Sequence, residues 1–321
     1  MKPQPTLRQL RYLVAVAERR HFGHAADDCF VTQSTLSAGI RELEAMLGVE
    51  LFARTKRHVE LTPIGERLLE PARAVLAAVE QLVGIALAGA KPLSGLVRFG
   101  VIPTIAPYLL PAALPRLRQA YPDLRLYLRE EQTAVLLEGL WRGRLDVALI
   151  ALPYETGALS VVTLGDDRLL LACPADHPLA MRRTVDRDAL QGQPLLLMED
   201  GHCLREHVLT ACHLAPGHAR EDLQATSLGT LLQMVAMGLG MTLVPEMALP
   251  VERLRAPVVA VVPFAPPEPR RHIALVWRAR SARDGDFRLL AEALRTTMAA
   301  AEAAAGAQAA ETDTRGGVGG D

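Results

Sequence analysis

The chain has 321 residues, half of them hydrophobic, a formal net charge of -1 and four cysteines. This length suits two or three domains with sizeable cores, and so few cysteines argue against a secreted disulfide scaffold and for a reducing compartment. The charge gives no global attraction to a polyanion; no signal peptide precedes the first amphipathic segment, and no apolar run approaches the roughly 20 residues of a membrane span, so a soluble cytoplasmic protein is expected.

Leu7, Leu10, Leu13, Val14 and Ala17 recur at helical spacing and predict a first helix ending near Arg19. A short second helix follows, near Gly23 to Cys29, with Ala25 and Ala26 as small packing residues. After a brief turn, Thr32 or Ser34 can cap a third helix that runs to about Leu47 and stops at Gly48. Its apolar face is Leu36, Ile40, Leu43 and Leu47; its other face carries Gln33, Thr35, Ser37 and Arg41. Two helices joined by a tight turn, the second polar on its outer face, match a helix-turn-helix, whose polar face offers groups to base edges and phosphates. The candidate DNA contacts are Thr32, Gln33, Ser34, Thr35, Ser37 and Arg41, with Arg54, Lys56 and Arg57 from a basic hairpin at residues 52–61 that reads as a wing. Residues 1–65 hold nine Lys/Arg against seven Asp/Glu, so the order of elements carries this reading rather than charge.

Thr62-Pro63 opens another helix, with Thr62 as N-cap and Pro63 at its first position, and its apolar pattern continues to about Leu87. Such a helix spans roughly 37 Å and suits dimerisation. Pro71 inside it is expected to kink or loosen it. Residues 89–95 read as a hinge.

From Leu96 the pattern becomes strands alternating with helices: strands at 97–102, 125–128, 147–151, 169–173, 195–198, 242–244 and 273–277, and helices at 104–120 (broken by prolines), 133–142, 226–237 and 286–298. Short apolar strands between helices imply a mainly parallel α/β sheet, and their number implies two lobes. Ligands in such folds bind beyond the carboxyl ends of strands, where Thr104, Thr133 and the loop before Cys203 fall. The tail from about Ala304 is small, polar and Gly-rich, and its composition suggests disorder.

Within this region, Asp200-Gly201 reads as a turn, and Leu204, Val208 and Leu209 as a helix starting at Cys203. Backbone N–H groups of a helix's first turn favour negative charge, and His202 and Arg205 flank the thiol, so it is expected to ionise more easily than a free one. Cys212 lies nine residues on, about 900° around an ideal helix and roughly 13 Å along it. A disulfide needs Cα atoms within about 7 Å, so the two cannot pair while a helix between them stays wound. Cys29 and Cys173 read as structural, and the histidines and cysteines form no convincing metal set. Thr104 can also be read as a helix cap, and Arg270 and Arg271 as surface charges.

Leu10-Arg11-Tyr12-Leu13, His21-Phe22, Ala25-Ala26, Thr32-Gln33-Ser34-Thr35-Leu36-Ser37, Ile40-Arg41-Glu42-Leu43-Glu44, Leu51-Phe52-Ala53-Arg54 and Leu61-Thr62-Pro63-Ile64-Gly65 together resemble the winged helix-turn-helix of LysR-type transcriptional regulators. Ile102-Pro103-Thr104, Gln132-Thr133, Glu199-Asp200-Gly201-His202-Cys203-Leu204-Arg205, Cys212, Ala225-Thr226-Ser227-Leu228 and Pro269-Arg270-Arg271 resemble the peroxide-sensing branch of that family. The resemblance implies an all-α winged helix-turn-helix (1–65), a linker and dimerisation helix (66–90), a two-lobed α/β regulatory domain of periplasmic-binding-protein type (91–302) and a tail (303–321). It implies a DNA-binding regulator of antioxidant genes, not an enzyme, in which peroxide oxidises Cys203 to a sulfenic acid and Cys212 resolves it to a disulfide. Thr104, Thr133, His202 and Arg270 match positions around the sensing thiol. The implied partners are double-stranded promoter DNA, hydrogen peroxide, RNA polymerase, further copies of the chain as a dimer or tetramer, and cytosolic thiol reductants; no cofactor and no membrane are implied. Two other readings are a regulator driven by a metabolite bound between the lobes, and a thiol peroxidase.

Overall fold

The structure is a computed structural model that describes residues 4–54, 59–88, 91–211 and 219–316. Residues 1–89 and 90–321 form two compact units.

The first unit contains α1 (Leu7–Arg19), α2 (Phe22–Asp28), α3 (Gln33–Leu47), β1 (Phe52–Arg54), β2 (Val59–Leu61) and α4 (Pro63–Ala88). Its helix ends are set by local chemistry. Thr6 and Gln9 form a capping box on α1, Thr32 caps α3 by accepting from the Thr35 N–H, and Gly48 ends α3 at φ 69°. Thr62 Oγ1 accepts from the Gly65 N–H at 3.1 Å and starts α4. Leu13, Val16, Ala25, Leu36, Ile40 and Leu43 fill the core between the first three helices, and β1 and β2 pair antiparallel as the expected hairpin. Pro71 does not interrupt α4: the proline is exposed, so the bond it cannot make falls on the solvent side.

Phe30, in the turn before α3, has φ 54° with its ring 95% exposed. A left-handed conformation costs a Cβ-bearing residue about 1–2 kcal/mol, of which glycine's greater chain entropy offsets part. Phe30→Gly is therefore expected to raise stability by about 0.5–1 kcal/mol, read from urea or thermal unfolding.

The second unit runs β3 (Gly95–Val101), α5 (Ala106–Ala120), β4 (Leu124–Glu130), α6 (Thr133–Trp141), β5 (Val147–Leu152), β6 (Leu159–Pro174), β7 (Leu195–Met198), α7 (Cys203–Ala211), β8 (Ala219–Ala225), α8 (Leu228–Ala236), β9 (Thr242–Pro245), α9 (Leu249–Arg255), β10 (Val259–Val262), β11 (Arg270–Arg278) and α10 (Asp284–Gly316). The sheet is mixed, not mainly parallel. β3 pairs parallel with β4 and β5, but β11 runs antiparallel to β5 and β6, and β9 and β10 run antiparallel to β6. The cause is the length of β6. Its Leu159 and Leu164 enter one hydrophobic core, and its Leu169 to Cys173 enter a second. β6 thus crosses between two lobes, and β11 lies against its first part, from Leu159 to Arg168.

α5 is continuous rather than broken. Pro107 lies in its first turn, and Pro111 and Pro115 follow at four-residue spacing, all exposed on one face. α10 continues through the alanine-rich stretch to Gly316, where composition alone suggested a disordered tail; alanine is the strongest helix former. Among the described residues no helix is long and apolar enough to cross a membrane.

Candidate functional site

β3, β4 and β7 end at Val101, Glu130 and Met198, and the candidate residues sit in the segments just beyond them. The chain turns at Gly201, whose φ of 90° excludes most side chains; a Cβ there would also lie 2.4 Å from Gln132 Oε1. Cys203 follows as the first residue of α7 and is 5% exposed. Its side chain belongs to the core of the first lobe, whereas Leu204, Val208 and Leu209 on the same helix fill the core of the second. The thiol therefore sits at the boundary between the lobes. Hydrogen bonds also link the segments of the two lobes: Gln132 Nε2 donates to the Asp200 carbonyl at 3.4 Å, Tyr108 donates to Glu252 at 2.9 Å, and His207 Nε2 meets the Pro153 carbonyl at 3.0 Å.

The positive charge that acts on the thiol is Arg271, which is fully buried. It stands directly opposite Asp167 in the β11–β6 register and donates from Nε to Asp167 Oδ2 at 2.9 Å. Its Nη1 donates to Thr104 Oγ1 at 2.7 Å, and its Nη2 to the Thr104 carbonyl at 2.9 Å. Asp167 Oδ1 in turn accepts from the Met247 N–H at 3.0 Å. One buried ion pair thus ties the loop after β3 to the turn after β9.

Burial pushes the Cys203 thiol's pKa up; the Arg271 charge, the Thr133 hydroxyl and the N–H groups of Cys203 and Leu204 all pull it down, and burial wins. This reverses the easier ionisation expected from the helix start. Loss of solvent around a nearly enclosed sulfur outweighs the partial charges of one helix end. Thr133 is buried beside the sulfur, but among the described residues its Oγ1 has no partner within hydrogen-bond geometry.

The other predicted residues separate. Arg270 is exposed and pairs with Asp166 at 3.0 Å, away from the thiol. Successive strand residues face opposite ways, so only one of the two arginines can turn inward, and it is Arg271. Thr104 is no helix cap: α5 begins two residues later, and its hydroxyl is held by Arg271. His202 is buried, and burial holds its pKa below the usual value. Arg205 pairs with Asp200 at 2.9 Å and reaches the Met198 carbonyl at 3.4 Å, which fastens the turn before α7. Cys212 lies outside the described residues. Cys29 is half-buried and packs against the core of the first unit, and Cys173 is buried in the second lobe, in keeping with structural roles.

His207 was missed, although its spacing of four from Cys203 places it on the same helical face. Burial pushes its pKa down to about 4, so it is neutral near pH 7. A carbonyl only accepts, so Nε2 carries the hydrogen; the buried Nδ1 has no partner among the described residues.

In the first unit, Thr32, Gln33, Ser34 and Thr35 are exposed at the start of α3, and Arg41 lies further along it with its Nε on the Ser37 carbonyl. Thr32 also spends its hydroxyl on the cap, within 3.0 Å of Ser34 and 2.8 Å of Thr35. Ser37 is partly buried and Arg54 lies on β1. Lys56 and Arg57 lie outside the described residues.

Residues 7–66 match the domain family described as "Bacterial regulatory helix-turn-helix protein, lysR family", and residues 90–299 match the "LysR substrate binding domain". The chain is 47% identical over 292 residues to the "DNA-binding transcriptional dual regulator OxyR" of Escherichia coli K12, covering 91% of this chain and 95% of that one. Full-length OxyR of Pseudomonas aeruginosa, solved with its cysteine replaced by aspartate, superposes with a TM-score of 0.75 at 38% identity, covering 91% and 98% of the two chains. A cysteine-to-serine OxyR of Corynebacterium glutamicum, with hydrogen peroxide bound, gives 0.67 at 38% identity, covering 96% and 97%. The helix-turn-helix at one end, the two-lobed regulatory unit at the other and these matches across nearly the whole length agree: the chain belongs to the lysR family of bacterial regulatory helix-turn-helix proteins.

Proposed function

We propose that this LysR-family protein is a peroxide sensor that regulates transcription by binding promoter DNA, with Cys203 as the reacting thiol. The observation that carries the reading is the placement of Cys203: its sulfur is in one lobe's core while its helix is packed into the other. A change at that sulfur therefore acts on both lobes at once. The names of the relatives, which describe peroxide-inducible regulators, support the same reading.

In this mechanism the Cys203 proton leaves, and the thiolate attacks one oxygen of hydrogen peroxide. The O–O bond breaks, a sulfenic acid forms, and the departing oxygen takes up a proton to leave as water. Arg271 stabilises the thiolate. The Thr104 hydroxyl, which accepts from Arg271, keeps its own O–H to offer to a bound oxygen. Thr133 Oγ1, buried beside the sulfur, is the second group available to orient the peroxide. Arg205 holds the turn and His202 shapes the pocket. The sulfenic acid is larger and more polar than the thiol and suits an apolar core poorly. The Cys212 thiol then attacks the Cys203 sulfur, a disulfide forms, and a second water leaves. Because α7 separates the two sulfurs, bonding them unwinds it. The repacked lobes alter contacts between copies of the chain in a dimer or tetramer, which changes how the helix-turn-helix units meet their half-sites and RNA polymerase. Thiol reductants reset the switch.

The test is a mass-spectrometric map of the full chain before and after one equivalent of peroxide. The expected result is a Cys203–Cys212 disulfide that dithiothreitol removes, with Cys29 and Cys173 unchanged. Peroxide turnover far beyond one equivalent per subunit would favour a peroxidase, and an unmodified Cys203 would end the proposal.

A further inference from the structure

The Arg271 guanidinium is held on both sides. Thr104 accepts from Nη1 and Nη2, and the Asp167 carboxylate takes Nε at 2.9 Å and lies 2.9 Å from Nη2. Both members of the pair are out of solvent, with side chains 0% and 2% exposed. A buried cation with a carboxylate at that distance presents a dipole to its surroundings rather than a full positive charge. Among the described residues, Arg271 of β11, the Tyr154 phenol beyond β5 and the Thr133 hydroxyl of α6 act on Cys203 from the elements packed on it, and His207, kept neutral by burial, shares its face of α7. Arg271 is the positive one, so whatever balances Arg271 governs the field at the sulfur. Asp167 is that group, and its other oxygen is anchored to the Met247 N–H in the turn after β9.

We propose that Asp167 is a positioning residue that restrains the reactivity of Cys203 by holding and neutralising Arg271, so that the same carboxylate couples the thiol to β6, the strand that crosses between the two lobes. The proposal rests on the reading of Cys203 as the reacting thiol. Removing the charge while keeping the shape exposes the sulfur to the uncompensated guanidinium and favours its thiolate. Keeping the charge on a longer arm preserves the restraint.

The experiment measures iodoacetamide labelling of Cys203 in the full-length chain, located by peptide mass spectrometry, as a function of pH. It needs neither peroxide nor DNA, so its failure is separable from a failure of the peroxide reading. Asp167→Asn and Asp167→Ser, checked for folding by circular dichroism, are expected to label roughly threefold or more faster at pH 7, with the rate–pH curve displaced to lower pH. Asp167→Glu is expected to stay within about twofold of the parent. Asparagine offers one acceptor where aspartate offers two, against Met247 and Arg271, and serine with a water in the space left is the second neutral variant for that reason. Unchanged or slower labelling in a folded neutral variant overturns the proposal. Equal acceleration in Asp167→Glu also overturns it, because loosened packing then explains the effect. If neither neutral variant folds, Asp167 serves stability alone and the proposal fails.

Discussion

Replacing Cys203 by serine is expected to abolish the peroxide-dependent change in the DNA footprint while leaving the footprint of the untreated protein in place. In the proposed mechanism the thiolate is the nucleophile that opens the O–O bond; a serine hydroxyl in the same position does not ionise near neutral pH and is not oxidised by peroxide. The loss is therefore of the whole response, not a fraction of it. Serine is close to cysteine in volume and sits at the start of α7, where a hydroxyl is tolerated, so the expected cost in stability is only about 1–2 kcal/mol from burying a more polar atom. On the proposed reading the untreated footprint is made by α3 and the hairpin, which lie in a separate compact unit. The measurement is a footprint titration with and without peroxide, with and without dithiothreitol. A disulfide-dependent shift that persists in Cys203→Ser would show that another thiol does the sensing.

Arg271→Met is expected to destabilise the regulatory unit by about 3–5 kcal/mol, the cost of stranding one member of a buried ion pair. Methionine fills similar volume, so the loss comes from charge and hydrogen bonds rather than from a cavity. Asp167 keeps only its bond from Met247, and Thr104 loses two donors. Burial already pushes the Asp167 carboxyl's pKa up, with Arg271 pulling against it. Without Arg271 that pull is gone and the folded-state pKa rises further above the unfolded one. A carboxyl raised in this way favours the folded state at low pH, and the benefit is lost as pH rises through the folded pKa. The deficit of Arg271→Met relative to the parent is therefore largest at pH 7–8 and shrinks on acidification toward pH 5. Urea unfolding of both proteins at pH 5, 6, 7 and 8 measures it. A loss below about 1 kcal/mol, or a deficit that grows on acidification, would contradict the assignment.

These two residues were not equally visible beforehand. Cys203 could be found from its neighbours: a turn glycine, a helix start and a second cysteine at a spacing a wound helix cannot bridge. Arg271 could not be separated from Arg270, since the resemblance pointed to the pair and named the wrong member for the buried position. The choice depends on which face β11 turns inward, and that is fixed by its pairing with β5 and β6, more than a hundred residues away in the chain. The polar stretch Gly165-Asp166-Asp167-Arg168 hid the first half of β6 for a related reason. Its charges are satisfied by partners from distant segments: Arg271 for Asp167, Arg270 and His272 for Asp166, and Glu246 and Glu268 for Arg168. Nothing local marks them as strand residues in the middle of a shared sheet.

Sequence by itself determined where the main helices of the first unit begin and end, because caps such as Thr32, Gly48 and Thr62 act through hydrogen bonds within about four residues. It also determined that Cys203 and Cys212 are separated by a helix. Tertiary structure alone decided that the prolines of α5 share a solvent face, that the sheet is mixed, that Arg271 and not Arg270 turns inward, and that Cys203 is more deeply buried than it is activated. Each of these outcomes is a balance between solvent lost and partners gained, and both sides of that balance are set by atoms that meet only when distant parts of the chain pack together.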